Sequence, residues 1–290
     1  MSILITGANG AIGFDLVNLL SKYKKVYAIS RTNKKNKILN NVKWIRHDLR
    51  KEFKLDIKSP LDCIVHCAVD QKYLNKNNKK YSRTNLKIIK NIINFSEINN
   101  SKIIINFSSI EVYGIIKKKA LNEKYNPIKP NIYGQTKLLI EKYLGKKTNT
   151  NFISLRLPGI FCKFTKNLNR PWLNNIMQIM KKNEDVVVYN GLNKFNNIID
   201  STQISKIILH IIKKKNRIRN FYNIASSQPT ILLNLLKNLK RKMKSKSNIV
   251  NLKDNNKASF YISVKKFEKK LGFSLETTNK LAYSHLKTFK

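Results

Sequence analysis

Tyr133 and Lys137 stand four residues apart in Tyr133-Gly134-Gln135-Thr136-Lys137. On a helix this spacing puts both side chains on one face. There the lysine charge favours the phenolate, so the phenol can exchange a proton with a carbonyl or an alcohol near neutral pH. The pairing alone has little weight in a chain with 12 tyrosines and 58 basic residues. It recurs at Tyr113, Tyr125, Tyr143, Tyr261 and Tyr283. Position selects Tyr133, which opens a predicted helix after the strand Lys102–Ser108. Pro127 breaks the helical pairing at Tyr125, and Tyr113 falls in the loop just past the strand. Tyr143, Tyr261 and Tyr283 lie away from the carboxyl edge, where open α/β sheets take ligands. Ser109 stands at that edge. Its hydroxyl can orient a reacting oxygen, or it can simply cap the strand end.

A second set of residues binds phosphate by its spacing. The first turn reads Thr6-Gly7-Ala8-Asn9-Gly10-Ala11-Ile12-Gly13, and three of the chain's nine glycines fall within it. Gly7 and Gly10 permit a tight turn and a close approach of backbone to a pyrophosphate. Gly13 lets the helix pack on the sheet, and the helix N-terminus receives the anion. The spacing G-x-x-G-x-x-G differs from the G-x-G-x-x-G of most dehydrogenases. NAD binders place an acidic residue about 20 residues past these glycines, on the adenosine ribose. Here the second strand ends Ile29-Ser30-Arg31, and no acidic residue occurs between Asp15 and Asp48. Arg31, Lys34 and Lys35 occupy the region instead. A guanidinium pairs with a 2′-phosphate that a carboxylate would repel. The expected cofactor is therefore NADP(H), with NAD(H) open if Arg31 only stacks on adenine.

The elements that must hold these groups follow from the hydrophobic pattern. Strands are predicted at Ser2–Thr6, Val26–Ser30, Lys43–Arg46, Asp62–Ala68, Lys102–Ser108 and Asn151–Leu157. Helices are predicted at Ala11–Tyr23, Thr84–Ile98 and Asn131–Leu144, the last preceded by Pro130. The strands are near-continuous apolar runs alternating with helices, the pattern of a parallel sheet covered on both faces. After Gly159 the rhythm loosens. Helices are expected at 170–182 and Ser201–Lys214, strands at Asp185–Tyr189 and Asn220–Ile224, and further helices across 230–290. The expected fold class is α/β, a doubly wound Rossmann-type sheet with a small, mostly C-terminal lobe. Residues 1–165 form the dinucleotide-binding domain, with its sheet completed by about 196–225. Residues 166–195 and 226–290 form the substrate lobe.

Together, Thr6–Gly13, Phe107–Gly114 (FSSIEVYG) and Tyr133–Lys137 resemble the extended short-chain dehydrogenase/reductases. This is the nucleotide-sugar epimerase, dehydratase and reductase group, and the resemblance covers nearly the whole chain. It implies that Asp48-Leu49 contacts adenine, that Cys67 and Ala68 lie beside the cofactor, and that Pro158 sits near the nicotinamide. Asn85 falls where the group often has an Asn. The resemblance further implies hydride transfer at C4 of a sugar on a nucleoside diphosphate. Tyr133 is then the acid/base, Lys137 holds the nicotinamide ribose, and Ser109 binds the reacting oxygen. The 4,6-dehydratases carry Thr-Asp-Glu where this chain has Ser109-Ile110-Glu111, so an eliminating acid is missing. Glu111 is shared with UDP-glucuronate decarboxylases and counts as a substrate-side residue. Decarboxylases and 4-epimerases usually place an Arg seven residues before the Asp matched by Asp200, where this chain has Asn193 beside Lys194. The leading expectation is a reductase of a 4-keto nucleotide sugar. A 4-epimerase with tightly held NAD is the alternative, and a non-catalytic dinucleotide-binding regulator is the alternative of another class.

Composition bounds the rest. The chain has 290 residues, 42% hydrophobic and 26% charged, which suits a globular protein of one or two domains. No apolar run approaches the roughly 20 residues of a membrane span, and no leader is expected before Ser2. Three cysteines, Cys63, Cys67 and Cys162, fit a reduced cytoplasmic setting and show neither zinc spacing nor a disulfide framework. The net charge of +42 invites a polyanion partner. The basic residues are spread thinly, however, and accompany abundant Asn and Ile, as A/T-rich codon usage produces. The charge then favours a phosphate-bearing small molecule over nucleic acid. Family members often pair as homodimers through the helix that carries Tyr133. His66 is expected to pack beside the cofactor strand, and Trp44 and Trp172 to be ordinary core or lobe residues.

Overall fold

The computed structural model describes residues 2–32, 39–55, 57, 60–165, 171–214, 218–255 and 259–289. Lys34 and Lys35 lie outside the described residues. The central sheet has strands β1 (Ser2–Thr6), β2 (Lys25–Ser30), β3 (Val42–Arg46), β4 (Leu61–His66), β5 (Ile103–Ser109), β6 (Asn151–Leu157) and β7 (Arg219–Asn223). All pairings are parallel, in the order β7-β6-β5-β4-β1-β2-β3. The helices are α1 (Ala11–Leu20), α2 (Asn78–Ile98), α3 (Ile132–Lys147), α4 (Trp172–Lys181), α5 (Ser201–Lys213), α6 (Leu232–Met243), α7 (Lys265–Leu271) and α8 (Thr278–Thr288).

The two-residue period of a strand sends alternate side chains to opposite faces. Ile3 and Ile5 of β1 join a core with Leu16, Val17 and Leu20 of α1 and Ile204, Ile207 and Ile208 of α5. Leu4 points the other way, into a core with Ile88, Ile89 and Ile92 of α2 and Ile140 and Leu144 of α3. Helices thus cover both faces, which is why β1 reads as an unbroken apolar run, SILIT. Each such side chain stabilises the fold by about 1.5–3 kcal/mol of transfer free energy. A third core joins Leu173, Ile176 and Met177 of α4, Leu235, Leu236 and Leu239 of α6, Leu281 of α8, and Val186, Val188 and Ile198. This smaller unit connects to the first through Gly159–Phe161, which pairs in parallel with Ile198–Asp200.

Several elements differ from their expected spans, and α3 runs on past Leu144 to Lys147. α2 begins at Asn78 rather than Thr84, because the side chain of Asn77 accepts the Lys80 amide at 2.9 Å and caps the extra turns. Of those extra residues only Tyr81 is buried, so they carry no apolar period. α1 ends at Leu20, short of Tyr23, with Ser21 as its C-cap. β4 ends at His66, so Cys67 and Ala68 begin the loop beyond the sheet edge.

α3 is fixed to the sheet by a buried ion pair. Arg156 of β6 donates from Nε to Glu141 Oε1 at 3.0 Å and from Nη2 to Oε2 at 2.6 Å. Its guanidinium also lies 3.9 Å from the centroid of the Phe221 ring. Removing one partner of such a pair costs about 3–5 kcal/mol, because the other charge is left buried alone. β1 and β4 are neighbours in the sheet while β2 and β5 lie on opposite sides of them, so the chain reverses direction of travel there. The crevice outside the carboxyl ends of such strands is where this architecture binds ligands. Among the described residues, no helix is long and apolar enough to cross a membrane.

Candidate active site

The turn after β1 is built around contacts that exclude side chains. Gly7 adopts φ +66°, and a Cβ there would lie 2.8 Å from the Ala68 backbone. A Cβ on Gly13 would collide with the Gly7 carbonyl oxygen. Gly10 is the N-cap of α1 and provides no side-chain cap, so the first turn of the helix presents backbone amides to a ligand. The Asn9 amide donates to the Thr32 carbonyl and, at 3.0 Å, to Thr32 Oγ1, tying the turn to the end of β2. These residues fit a dinucleotide pyrophosphate: the cradle exists only because no Cβ fills it.

Ser109 and Tyr133 line the same cleft from different elements. Ser109 ends β5, and its Oγ accepts the Glu111 amide at 3.2 Å, capping a short 3-10 turn at Ile110–Tyr113. It is therefore a strand-end cap that also faces the cleft. Tyr133 is the second residue of α3, whose N-cap Asn131 accepts the Gly134 amide at 2.8 Å. Lys137 follows one turn later, buried, with Nζ donating to the Phe107 carbonyl at 2.6 Å. Its Nζ lies 5.7 Å from the Tyr133 ring centroid. Burial pulls Lys137 down to about 8, with Cys67 and Glu141 opposing the shift. Burial pushes the Cys67 thiol up, which disfavours its thiolate. His66 is held to about 3 by burial and by Lys137, and its Nδ1 shares a 2.9 Å hydrogen bond with Thr6 Oγ1.

These groups line one cleft of about 970 Å³. Its wall includes Ala11, Ile12, Cys67, Ser109, Glu111, Tyr133, Lys137 and Pro158. Of the six tyrosines with a lysine four residues on, Tyr133 is the one in this wall. Tyr113 is buried and donates to Asn223 Oδ1 at 2.6 Å, and Tyr125 donates to the Ile115 carbonyl at 2.9 Å. Leu49 is a core residue packed with α2, its carbonyl accepting from Asn91 at 2.9 Å. Arg31 and Asp48 stand apart from the cleft wall, at the ends of β2 and β3. Asp48 is bound by Arg50, whose hydrogen bonds hold the carboxyl down to about 2. Asn85 does not face the cleft: it is buried and brackets the backbone of Asp70.

Ser108 shares the strand end with Ser109, and its Oγ lines the wall, buried and without a hydrogen-bond partner among the described residues. Other cleft residues lay beyond the sequence reading, and Asn197 Oδ1 is buried in the wall in the same way. Trp172 is not an ordinary lobe residue: it is 44% exposed and lines the cleft, its ring centroid 5.9 Å from that of Phe195. Asp15, inside α1, accepts from the amides of Lys163 and Phe164 and from the hydroxyl of Ser201. It thereby shapes the segment after Phe161 that borders the site. Asn193 and Lys194 are not in the cleft wall. Asn193 accepts the Leu232 amide at 3.1 Å and Lys194 is exposed. Among the described residues, no group of three or more His, Cys, Asp or Glu side chains could hold a metal ion.

A parallel sheet with a glycine turn at its switch point, and a Tyr–Lys pair beside it, defines a dinucleotide-binding α/β protein of the short-chain dehydrogenase type. The chain belongs to the NAD dependent epimerase/dehydratase family, whose model matches residues 3–225. It is 29% identical over 249 residues to the bifunctional polymyxin resistance protein ArnA of Wigglesworthia glossinidia brevipalpis, covering 74% of this chain and 36% of that protein. The chain thus spans about a third of that relative's length. It is 25% identical over 216 residues to the GDP-6-deoxy-D-talose 4-dehydrogenase of Aggregatibacter actinomycetemcomitans, covering 74% of this chain and 71% of that protein. The fold is similar to that of the UDP-glucose 4-epimerase of Thermotoga maritima with UDP-glucose, at TM-score 0.78 and 17% identity over 100% of this chain and 98% of that one. It is also similar to that of the UDP-glucuronic acid 4-epimerase of Bacillus cereus in complex with UDP-glucuronic acid and NAD, at TM-score 0.76 and 17% identity over 100% and 99%.

Proposed function

We propose that the chain is an NADP(H)-dependent reductase of a 4-keto group on a nucleoside-diphosphate sugar. The observation that carries this reading is the convergence of Ser109, Tyr133 and Lys137 on one cleft that begins at the N-terminus of α1. Gly7, Asn9, Gly10, Ala11, Ile12 and Gly13 would hold the dinucleotide, with Cys67, Ala68, Lys137 and Pro158 on its nicotinamide side. When bound in its reduced form, it supplies a hydride to the carbonyl carbon. Ser109 Oγ donates to the carbonyl oxygen and fixes its direction. The Tyr133 hydroxyl gives that oxygen its proton. Lys137, anchored on Phe107 and close to the Tyr133 ring, offsets the negative charge left on the phenol. Residues 166–195 and 226–290 receive the nucleotide sugar, with Glu111 on the substrate side.

Ile110 supports reduction over dehydration, since an aliphatic side chain in the cleft wall cannot protonate a leaving hydroxyl. The 4-dehydrogenase among the relatives runs in name the reverse of a 4-keto reduction. The absence of Arg at Asn193, with neither Asn193 nor Lys194 in the cleft wall, sets this chain apart from the usual 4-epimerase pattern. A 4-epimerase with tightly held NAD is the second reading, favoured by the solved 4-epimerases of the same fold. Protein as purified, with whatever nucleotide it retains and none added, separates the two. A reductase consumes NADPH in proportion to a 4-keto nucleotide sugar and is silent without it. Interconversion of UDP-sugar C4 epimers without added dinucleotide would favour the epimerase.

A further inference from the structure

The segments that follow three strands meet at the carboxyl edge of the sheet. Arg31 follows β2, Asp48 and Arg50 follow β3, and Asp70 follows β4. The Asp70 side chain is 4% exposed. Its backbone is held on both sides by Asn85, which accepts the Asp70 amide at 2.9 Å and donates to its carbonyl at 3.0 Å. One carboxylate oxygen accepts the Lys72 amide at 3.0 Å. The other lies 3.7 Å from Arg31 Nη1 and 3.6 Å from Arg50 Nη1, with no hydrogen bond to either. Arg50 uses its remaining donors on Asp48, Nε reaching Oδ1 and Oδ2 at 2.9 Å each. The side chain of Arg31 is 56% exposed and makes no hydrogen bond to the described residues.

We propose that Asp70 is a positioning residue that holds Arg31 and Arg50 as a two-guanidinium reader of the cofactor 2′-phosphate. The inference rests on the NADP(H) reading above and extends it to Arg50 and Asp70. A long arginine side chain loses rotamer freedom when it engages a phosphate, and a buried, backbone-pinned carboxylate meets part of that cost beforehand. Asp70 attracts the Nη1 groups of both arginines without closing a hydrogen bond, so those donors can turn to a phosphate and form charge-assisted pairs. Asp48 is paired with Arg50 through Nε and Nη2, which weakens its repulsion of that phosphate and leaves Nη1 of Arg50 facing Asp70. The same arrangement disfavours NAD(H), whose ribose hydroxyl looks for a carboxylate acceptor. Both carboxylates within reach here are already ion-paired with arginine.

Fluorescence titrations with NADPH and NADH test the assignment on the wild-type chain and on Asp70→Asn, Arg50→Gln and Arg31→Ala. The expected result is that each substitution weakens NADPH binding about tenfold, the loss of one charge-assisted contact. NADH binding should stay within about twofold. Arg50→Gln alters a half-exposed side chain, so it serves if Asp70→Asn does not fold. Equal weakening of both nucleotides, or tighter NADPH binding in Asp70→Asn, would overturn the proposal and make Asp70 a structural or a repelling group. If Arg31→Ala changes the NADPH/NADH ratio while Asp70→Asn and Arg50→Gln do not, this inference fails alone. If the wild type shows no preference and Arg31→Ala changes nothing, the NADP(H) reading fails with it.

Discussion

Asn131 donates its side-chain amide to the Glu111 carboxylate at 3.0 Å while its own carbonyl oxygen accepts the Gly134 amide. One hydrogen-bonded relay therefore joins the turn after Ser109 to the first turn of the helix that carries Tyr133. Glu111 lines the cleft, yet its carboxylate is engaged in holding the turn after Ser109 in register with the helix that carries Tyr133. Glu111→Ala should lower kcat by about tenfold, because a shift of a fraction of an ångström between Ser109 and Tyr133 is costly. Glu111→Gln keeps an acceptor and should retain most of the rate. The residue is exposed, so thermal stability should change little. Equal losses in the two variants would point to a direct role in substrate binding.

Gly134 sets two local effects against each other. Alanine inside a helix is favoured over glycine by up to about 1 kcal/mol. Here, however, a Cβ would collide with the Glu111 carbonyl and lie 3.2 Å from Pro130 Cβ. Relieving that overlap requires moving α3 away from the turn at Ile110–Tyr113, a cost of about 1–3 kcal/mol. The clash wins. Gly134→Ala should lower the denaturation midpoint and reduce kcat together, and a stabilised, fully active variant would show that the two segments can separate freely.

Lys137 predicts a pH signature. Burial lowers it from 10.5 to about 8, so between these values the unfolded chain holds a proton that the folded chain has lost. Stability from this group therefore rises with pH across that window: the cost of burying the charge is present in full below about 8 and is gone above 10.5. Lys137→Met removes the titration. The difference in unfolding free energy between wild type and variant should grow in favour of the wild type from pH 8 to pH 10, as read by denaturant melts at each pH. Catalysis should run the other way, with kcat falling above about pH 8 as the charge that supports Tyr133 is lost. A flat stability difference would mean that the lysine is hydrated in the folded chain.

Much of this arrangement is legible from the residues, and the limit is contact distance along the chain. β1, β2, β5 and β6 read clearly because strands buried on both faces are mostly apolar, the few polar residues such as Asn106 and Arg156 being partnered inside the sheet. The glycine turn is legible because Gly7 and Gly13 face backbone at distances no side chain tolerates, a requirement that leaves glycine as its mark. Tyr133 needed position as well as pattern. Asp15 was not legible: its partners Lys163, Phe164 and Ser201 lie more than a hundred residues away, and nothing local distinguishes it from a surface acid on a helix. Asp70 and Arg50 were missed for the same reason, since their pairing exists only where separate strands end together. The first six residues of α2 were missed because a cap and buried polar contacts, not an apolar stripe, hold them.

Trp172 yields the last prediction. It opens α4, lines the cleft beside Phe195 at an interplanar angle of 57°, and leaves a large apolar face open to water. Such a face gains most from a flat partner, and stacking of a base on an aromatic ring contributes about 1–3 kcal/mol. The nucleotide sugar carries one flat group, its base. Trp172→Ala should therefore raise the substrate KM about tenfold and leave kcat within about twofold, since Trp172 touches none of Ser109, Tyr133 or Lys137 in the hydrogen-bond network. Trp172→Phe should recover most of the loss. Stability should hold, because the side chain is already 44% exposed. If kcat falls while KM is unchanged, the indole acts on the reacting end of the cleft, and the base must find its platform elsewhere in the lobe.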